Sequence, residues 1–189
     1  DRAVEHGEIV PGKHPIFSWL PEVAERFPAL GYGVDFEAVR GLVKIWQFID
    51  GAYDPEALLT LPIMPRSYAP SLPILRELGL DSATIVGADF VNASINLYFR
   101  PSQPSHMTGQ LVTDFCEKLG FQRPSLAAQA HAAQTGCIGV TYGWESAAIE
   151  RLCFYELEDG FKGKFTNETY QKMAKMSDQK KQQQGIYKT

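Results

Sequence analysis

Asn92-Ala93-Ser94-Ile95-Asn96-Leu97-Tyr98-Phe99-Arg100 is the stretch on which the fold turns. Asn92, Ser94, Asn96, Tyr98 and Arg100 carry polar groups, whereas Ala93, Ile95, Leu97 and Phe99 are apolar. This period of two is that of a β-strand whose apolar side fits under helices and whose polar side looks the other way. The same alternation runs through 42–49, where Leu42, Lys44, Trp46 and Phe48 oppose Val43, Ile45, Gln47 and Ile49. A third case sets Cys137, Gly139 and Thr141, with Arg151, Cys153 and Tyr155 on a return strand, against Ile138, Val140, Leu152 and Phe154.

Working outward, strand pairs are expected over 30–49, 82–100 and 135–157, each with Gly, Asn or Ser near its reversal. Helices are expected at 14–27, at 66–78 stopped by Gly79, at about 105–119 from Ser105 to Gly120, at 125–133 opening on Ser125, and in a polar stretch near 166–181. Ile186-Tyr187 reads as the start of another strand. The hairpins recur with helices between them, so the apparent unit is helix, helix, strand, strand, and the class is α+β with antiparallel sheet. Helices on every connection cover one face. The other must meet a partner or become the lining of a barrel. In a barrel it would be a polar and aromatic cavity with at least two fixed cations; on an open sheet the same residues would simply face water.

At 189 residues, 44% hydrophobic and 21% charged, the chain is read as a single domain over 1–189 that buries on the order of 70% of its unfolded surface. A net charge of −4 offers no global field for nucleic acid or an anionic membrane, so any anion must be held locally. Cys116, Cys137 and Cys153 are odd in number and lack C-x-x-C spacing, which points away from disulfides and zinc and toward a reducing compartment. No apolar run nears the ~18 residues of a membrane span, and the start lacks a signal-peptide core, so a cytoplasmic protein is expected. His6, His14, His106 and His131 lack metal-site spacing and read as surface or capping residues.

Two stretches resemble the soluble aromatic prenyltransferases of the ABBA, or prenyltransferase-barrel, family. They are Leu80-Asp-Ser-Ala-Thr-Ile-Val-Gly-Ala-Asp-Phe90 running into Ile95-Asn-Leu-Tyr-Phe99, and Tyr142-Gly-Trp-Glu-Ser146 running into Ile149-Glu-Arg-Leu-Cys-Phe154. The likeness extends more thinly from Gly33 to Leu157. It implies an antiparallel barrel of ααββ units, or part of one, and transfer of a prenyl group from its diphosphate to an electron-rich aromatic acceptor. It also implies that Lys44 and Arg151 grip the diphosphate, with Asn92 where some members carry a further lysine. Trp46 stands where the family has a tyrosine, and Tyr98 matches an aromatic of the cavity wall. Thr84, Cys137 and Gly139 fall at acceptor-pocket positions, with Asn96 and Tyr155 completing the prenyl and aromatic pocket. The family's N-terminal strands, with an aspartate some members use for magnesium, and its final strands have no counterpart here. Three hairpins do not close the family's barrel, which leaves a fragment, segments outside the numbered chain, or completion by a second copy.

The chemistry needs a grip on the leaving diphosphate, aromatic faces around an allylic cation, and an acceptor ring held close by. Lys44 and Arg151 suit the first by charge-assisted hydrogen bonds; Trp46, Tyr98 and Tyr155 suit the second, at ~0.5–2 kcal/mol each; confinement supplies the third. Without an Asp-Asp-x-x-Asp cluster no protein metal site is expected, although magnesium can assist as a ligand of the diphosphate itself. Glu150, by alternation, is expected to point away from Arg151. The competing class is a non-catalytic relative that keeps the fold and binds a small hydrophobic or aromatic ligand.

Overall fold

The computed structural model describes residues 12–64, 66–100, 108–133, 136–146 and 149–155. All of them lie in one compact unit, Asp1–Glu156. The expected helix near 166–181, the strand at Ile186-Tyr187 and the single-domain reading beyond Glu156 fall outside the described residues, as do Ser105, His6 and His106.

Six strands form one antiparallel sheet in the order β1-β2-β3-β4-β5-β6, each hydrogen-bonded to its sequence neighbours. They are β1 (Ala29–Glu37), β2 (Gly41–Tyr53), β3 (Ala83–Asp89), β4 (Ser94–Phe99), β5 (Cys137–Gly143) and β6 (Ile149–Tyr155). The three expected hairpins are all present, and among the described residues β1 and β6 are its two free ends. The described residues therefore form a six-stranded antiparallel sheet with helices, consistent with part of the expected architecture.

Helices α1 (Ile16–Arg26), α2 (Pro55–Leu59), α3 (Leu72–Glu77), α4 (Gly109–Lys118) and α5 (Leu126–Ala132) occupy the connections. The expected helix over 66–78 is split: Arg66–Ser71 is a 3-10 turn and α3 starts only at Leu72, because Pro70 and Pro73 each lack an N–H and break the i→i−4 ladder. Five-residue α2 is too short to show a period; its signals are Pro55 at the first turn and Asp54, whose side chain accepts from Glu56 N at 2.8 Å. Thr108 and Ser125 cap α4 and α5 in the same way. Gly79 and Gly120, at φ of 68° and 76°, end α3 and α4 as expected, with Leu80 N bonded to Leu75 O and Phe121 N to Cys116 O. His14 Nδ1 accepts from Ile16 N at the start of α1, the capping role its isolation suggested.

The core lies between the helices and one face of the sheet. Val86, Ala88, Ile95, Leu97, Phe99 and Val140 are fully buried there against Trp19, Leu75 and Phe115. Tyr68, also fully buried, donates to Gly143 O at 2.8 Å and stacks edge-on against Tyr142, tying the 3-10 turn to the end of β5. Ile49, Ile95, Leu97, Phe99, Ile138 and Val140 of this cluster come from the face that alternation assigned to the helices, whereas Leu42, expected beside Lys44, packs against it because Val43 is inserted at a bulge.

Candidate functional site

The opposite face is organised by strand register into three rows that cross the sheet. The first runs Asp35, Lys44, Asp89, Ser94, Gly143; the second Gly33, Trp46, Gly87, Asn96, Thr141, Arg151; the third Gly31, Phe48, Ile85, Tyr98, Gly139, Cys153. Cys137 and Tyr155 pair beyond the third. Successive rows are two residues apart, or about 6.7 Å along each strand. Lys44 and Asp89 sit at one end, Trp46, Asn96, Thr141 and Arg151 in the middle, and Phe48, Tyr98 and Tyr155 toward the other.

Two glycines let the large rings lie down on the sheet. A Cβ at Gly87 would stand 2.9 Å from Trp46 Cδ1, and one at Gly139 would stand 3.1 and 3.2 Å from the rings of Tyr155 and Tyr98. Trp46 Nε1 donates to Tyr98 Oη at 2.9 Å, and the Tyr98 and Tyr155 rings lie 6.0 Å apart. Lys44 Nζ is 5.5 Å from the centre of the Trp46 ring. The rings thus form a fixed floor, continuous from the lysine to the free end of β6.

Polar contacts organise the middle row. Arg151 Nε donates to Thr141 Oγ1 at 3.4 Å, and Thr141 donates to Asn96 Oδ1 at 2.7 Å. This relay fixes the Asn96 amide, which is only 2% exposed, and leaves its Nδ2 donor buried without a partner. A buried donor left unpaired costs about 1–3 kcal/mol, a state that Trp19 Nε1 and Gln47 Oε1 share with Asn96 Nδ2. Among the described residues, no carboxylate pairs with the Arg151 guanidinium.

Lys44 differs. Its Nζ lies 3.1 Å from Asp89 Oδ2, and both side chains are largely buried. Asp89 also accepts from Val91 N and Asn92 N, and from Asn92 Nδ2 at 3.1 Å. Burial alone would raise the Asp89 carboxyl, but the Asn92 hydrogen bonds and Lys44 together bring it below its ordinary value. Asn92 is thus a turn residue, because β4 begins only at Ser94; the expected strand ran two residues too far. Burial pushes the Cys137 thiol up to about 11. Tyr98 is raised by burial, against the opposing bonds from Trp46 and Tyr155; Tyr155 is raised by burial and by its neighbours Tyr98 and Cys153. Near neutrality these groups remain protonated, as donors and ring faces rather than bases.

Two positions depart from simple alternation because of bulges. Between Ala83 and Ile85 the register slips against β4, so Thr84 and Ile85 together oppose Tyr98, and Thr84 sits half-buried beside the aromatic row. The slip opposite Thr141 and Tyr142 inserts Glu150 into β6. A Cβ at Gly143 would meet the Glu150 carboxylate at 1.9 Å, so Glu150 lies on the same face as Arg151, contrary to the alternation reading. Sequence reasoning also passed over Asp89, although counting by twos along Ile85, Gly87 and Asp89 places it beside Lys44. Among the described residues, no three His, Cys, Asp or Glu side chains converge as a metal site, and no helix is long and apolar enough to cross a membrane.

Fold and site together define an α+β sheet protein with helices on one face and a row of charged, polar and aromatic side chains on the other. Comparison with known proteins places that class in a family. The chain belongs to the aromatic prenyltransferase Orf2 family, whose model matches residues 1–184. It is 32% identical over 155 residues to the 5,10-dihydrophenazine-1-carboxylate 9-dimethylallyltransferase of Streptomyces anulatus, covering 80% of this chain and 52% of that protein. It is 26% identical over 155 residues to the flaviolin linalyltransferase of Streptomyces virginiae, covering 80% and 51%. To the 4-hydroxyphenylpyruvate 3-dimethylallyltransferase of Streptomyces niveus it is 28% identical over 163 residues, covering 83% and 49%. The chain spans about half the length of these relatives.

Proposed function

We propose that this chain carries the prenyl-diphosphate site of an aromatic prenyltransferase. The observation that carries the reading is the unpartnered, buried Asn96 Nδ2, oriented by Thr141 beside a guanidinium that meets no carboxylate among the described residues. Phosphoryl oxygens are the acceptors such a pair lacks. The diphosphate would lie over the second row, held by Arg151 and Asn96, with Lys44 shared between it and Asp89. The prenyl chain would follow the strands toward Phe48, Tyr98 and Tyr155, whose faces shield the allylic cation. As the C1–O bond breaks, the electron pair leaves with the diphosphate, where Arg151 and Lys44 stabilise the added charge. The acceptor ring then bonds to C1 and loses a proton.

Arg151 and Lys44 stand four strands apart, about 19 Å along the sheet at ~4.8 Å per step. Both serve one diphosphate only where the sheet curls and their side chains reach inward from its two sides. Asn92 is given a supporting part, holding Asp89, rather than a contact with phosphate. Thr84, Cys137 and Gly139, beside the aromatic row, are assigned to the acceptor end. Magnesium would be carried by the diphosphate oxygens, since the described residues supply no ligand cluster of their own.

A second reading is favoured by the Lys44–Asp89 pair, which spends one of the two cations internally: a relative that binds an aromatic ligand without transferring a prenyl group. Incubation with dimethylallyl or geranyl diphosphate and phenolic, naphthalene or phenazine acceptors, read by mass spectrometry, separates the two. A product heavier by the prenyl group supports transfer; acceptor binding with no product and no donor binding supports the second reading.

A further inference from the structure

A fourth row lies beyond the aromatic one, and it carries a cation. Phe99 pairs with Ile138, so Arg100, the residue that follows β4, stands level with Cys137, and Cys137 pairs in turn with Tyr155. Parity along Asn96, Tyr98 and Arg100 sets all three on the site-bearing face. Electrostatics agree: the Arg100 guanidinium is near enough to the Cys137 thiol to oppose the upward push of burial. Arg100 is half-buried, and its strand runs between those that carry Thr84 and Cys137, the positions assigned to the acceptor end.

Distance decides which anion this cation can serve. Four residues of extended chain separate Arg100 from Asn96, about 13 Å at ~3.3 Å per residue. A diphosphate held over the second row by Asn96 and Arg151 does not span that gap, and proximity to Cys137 keeps the guanidinium in its own row. Tyr98 stands between the two along β4. The order of groups on this line is therefore an amide donor, an aromatic ring and a guanidinium. Its two ends suit two separate anions, with Tyr98 as a surface for a ring between them. A guanidinium matches a carboxylate through two parallel N–H···O bonds, and its five donors allow this beside the interaction that Arg100 already makes.

Given the prenyl-transfer reading, on which this inference rests for the acceptor's place, we propose that Arg100 holds a carboxylate on the aromatic acceptor, so that the acceptors of this site are aromatic acids. With its carboxylate at Arg100, a ring lying against Tyr98 turns its opposite edge toward the allylic C1.

The test compares a hydroxynaphthoate with its carboxamide as ligands of the chain, followed by quenching of tryptophan fluorescence, with a prenyl-diphosphate analogue titrated alongside by calorimetry. The carboxylate is expected to bind about tenfold more tightly than the carboxamide, the ratio that a charge-assisted hydrogen bond sustains. Arg100→Gln should abolish that preference while leaving the carboxamide and the donor analogue bound as before. Arg100→Lys, which keeps the charge but loses the planar fork, should restore part of it. Circular dichroism and the unfolding midpoint show that each variant is folded. Equal binding of carboxylate and carboxamide, or a preference that survives Arg100→Gln, would overturn the proposal; with the donor analogue still bound, the transferase reading would stand. A preference abolished by Arg100→Gln in a chain that binds no donor analogue would uphold the carboxylate site and overturn prenyl transfer instead.

Discussion

Along β4, Ser94 and Asn96 are buried as deeply as the residues of the opposite face, for different reasons. Ile95, Leu97 and Phe99 are fully buried within the apolar core, whereas Ser94 and Asn96, at 3% and 2% exposed, lie among polar atoms, and one of Asn96's own is unpaired. Burial on the first face stabilises the fold through area removed from water. On the second, the unpaired Asn96 donor costs free energy that, in the proposed function, the diphosphate returns.

The comparison breaks most visibly if both faces prove equally structural. Leu97→Ala is expected to destabilise by about 2–5 kcal/mol in urea unfolding, because it opens a cavity in a sealed core. Asn96→Ala should cost only about 1 kcal/mol, from the Thr141 hydroxyl it leaves unpaired, while lowering affinity for a prenyl-diphosphate analogue at least tenfold. Equal losses of stability would mean that Asn96 belongs to the core.

The two cations sharpen the contrast further. Lys44→Ala strands the buried Asp89 carboxylate and should cost about 3 kcal/mol, whereas Arg151→Ala, at an exposed residue with a single long hydrogen bond, should stay within ~0.5 kcal/mol. Both should weaken donor binding at least tenfold. Gly87→Ala pushes a methyl to within 2.9 Å of Trp46 Cδ1 and should cost about 1–3 kcal/mol while shifting tryptophan fluorescence as the bond to Tyr98 breaks.

The smallest effect is the acid limb. The folded Asp89 carboxyl lies below its unfolded value of about 3.9, so its contribution is complete above that pH and disappears as pH falls through the folded value. Asp89→Asn should flatten the stability profile below about pH 4; an unchanged acid limb would mean that Asp89 titrates alike in both states.

Much of this was legible in the sequence because a strand declares its faces by parity. Lys44, Trp46, Asn96, Tyr98, Thr141 and Arg151 were all sorted to the correct side. Parity fails where one residue is inserted: Glu150 changes face at a bulge, and Asn92 was counted as strand although Asp89 holds it in a turn. Pairing was hidden for a different reason. Nothing local in Lys44 says that its charge is already met by an aspartate 45 positions later; only sheet register brings the two together.

The most direct test of the account is calorimetric titration of the chain with a non-hydrolysable geranyl diphosphate analogue, with and without magnesium, compared with Asn96→Ala and Arg151→Ala. Micromolar binding in the parent chain, lost in both variants while their unfolding midpoints stay close to the parent's, is the predicted result. Absence of binding in the parent chain, or binding that both variants retain, would contradict it.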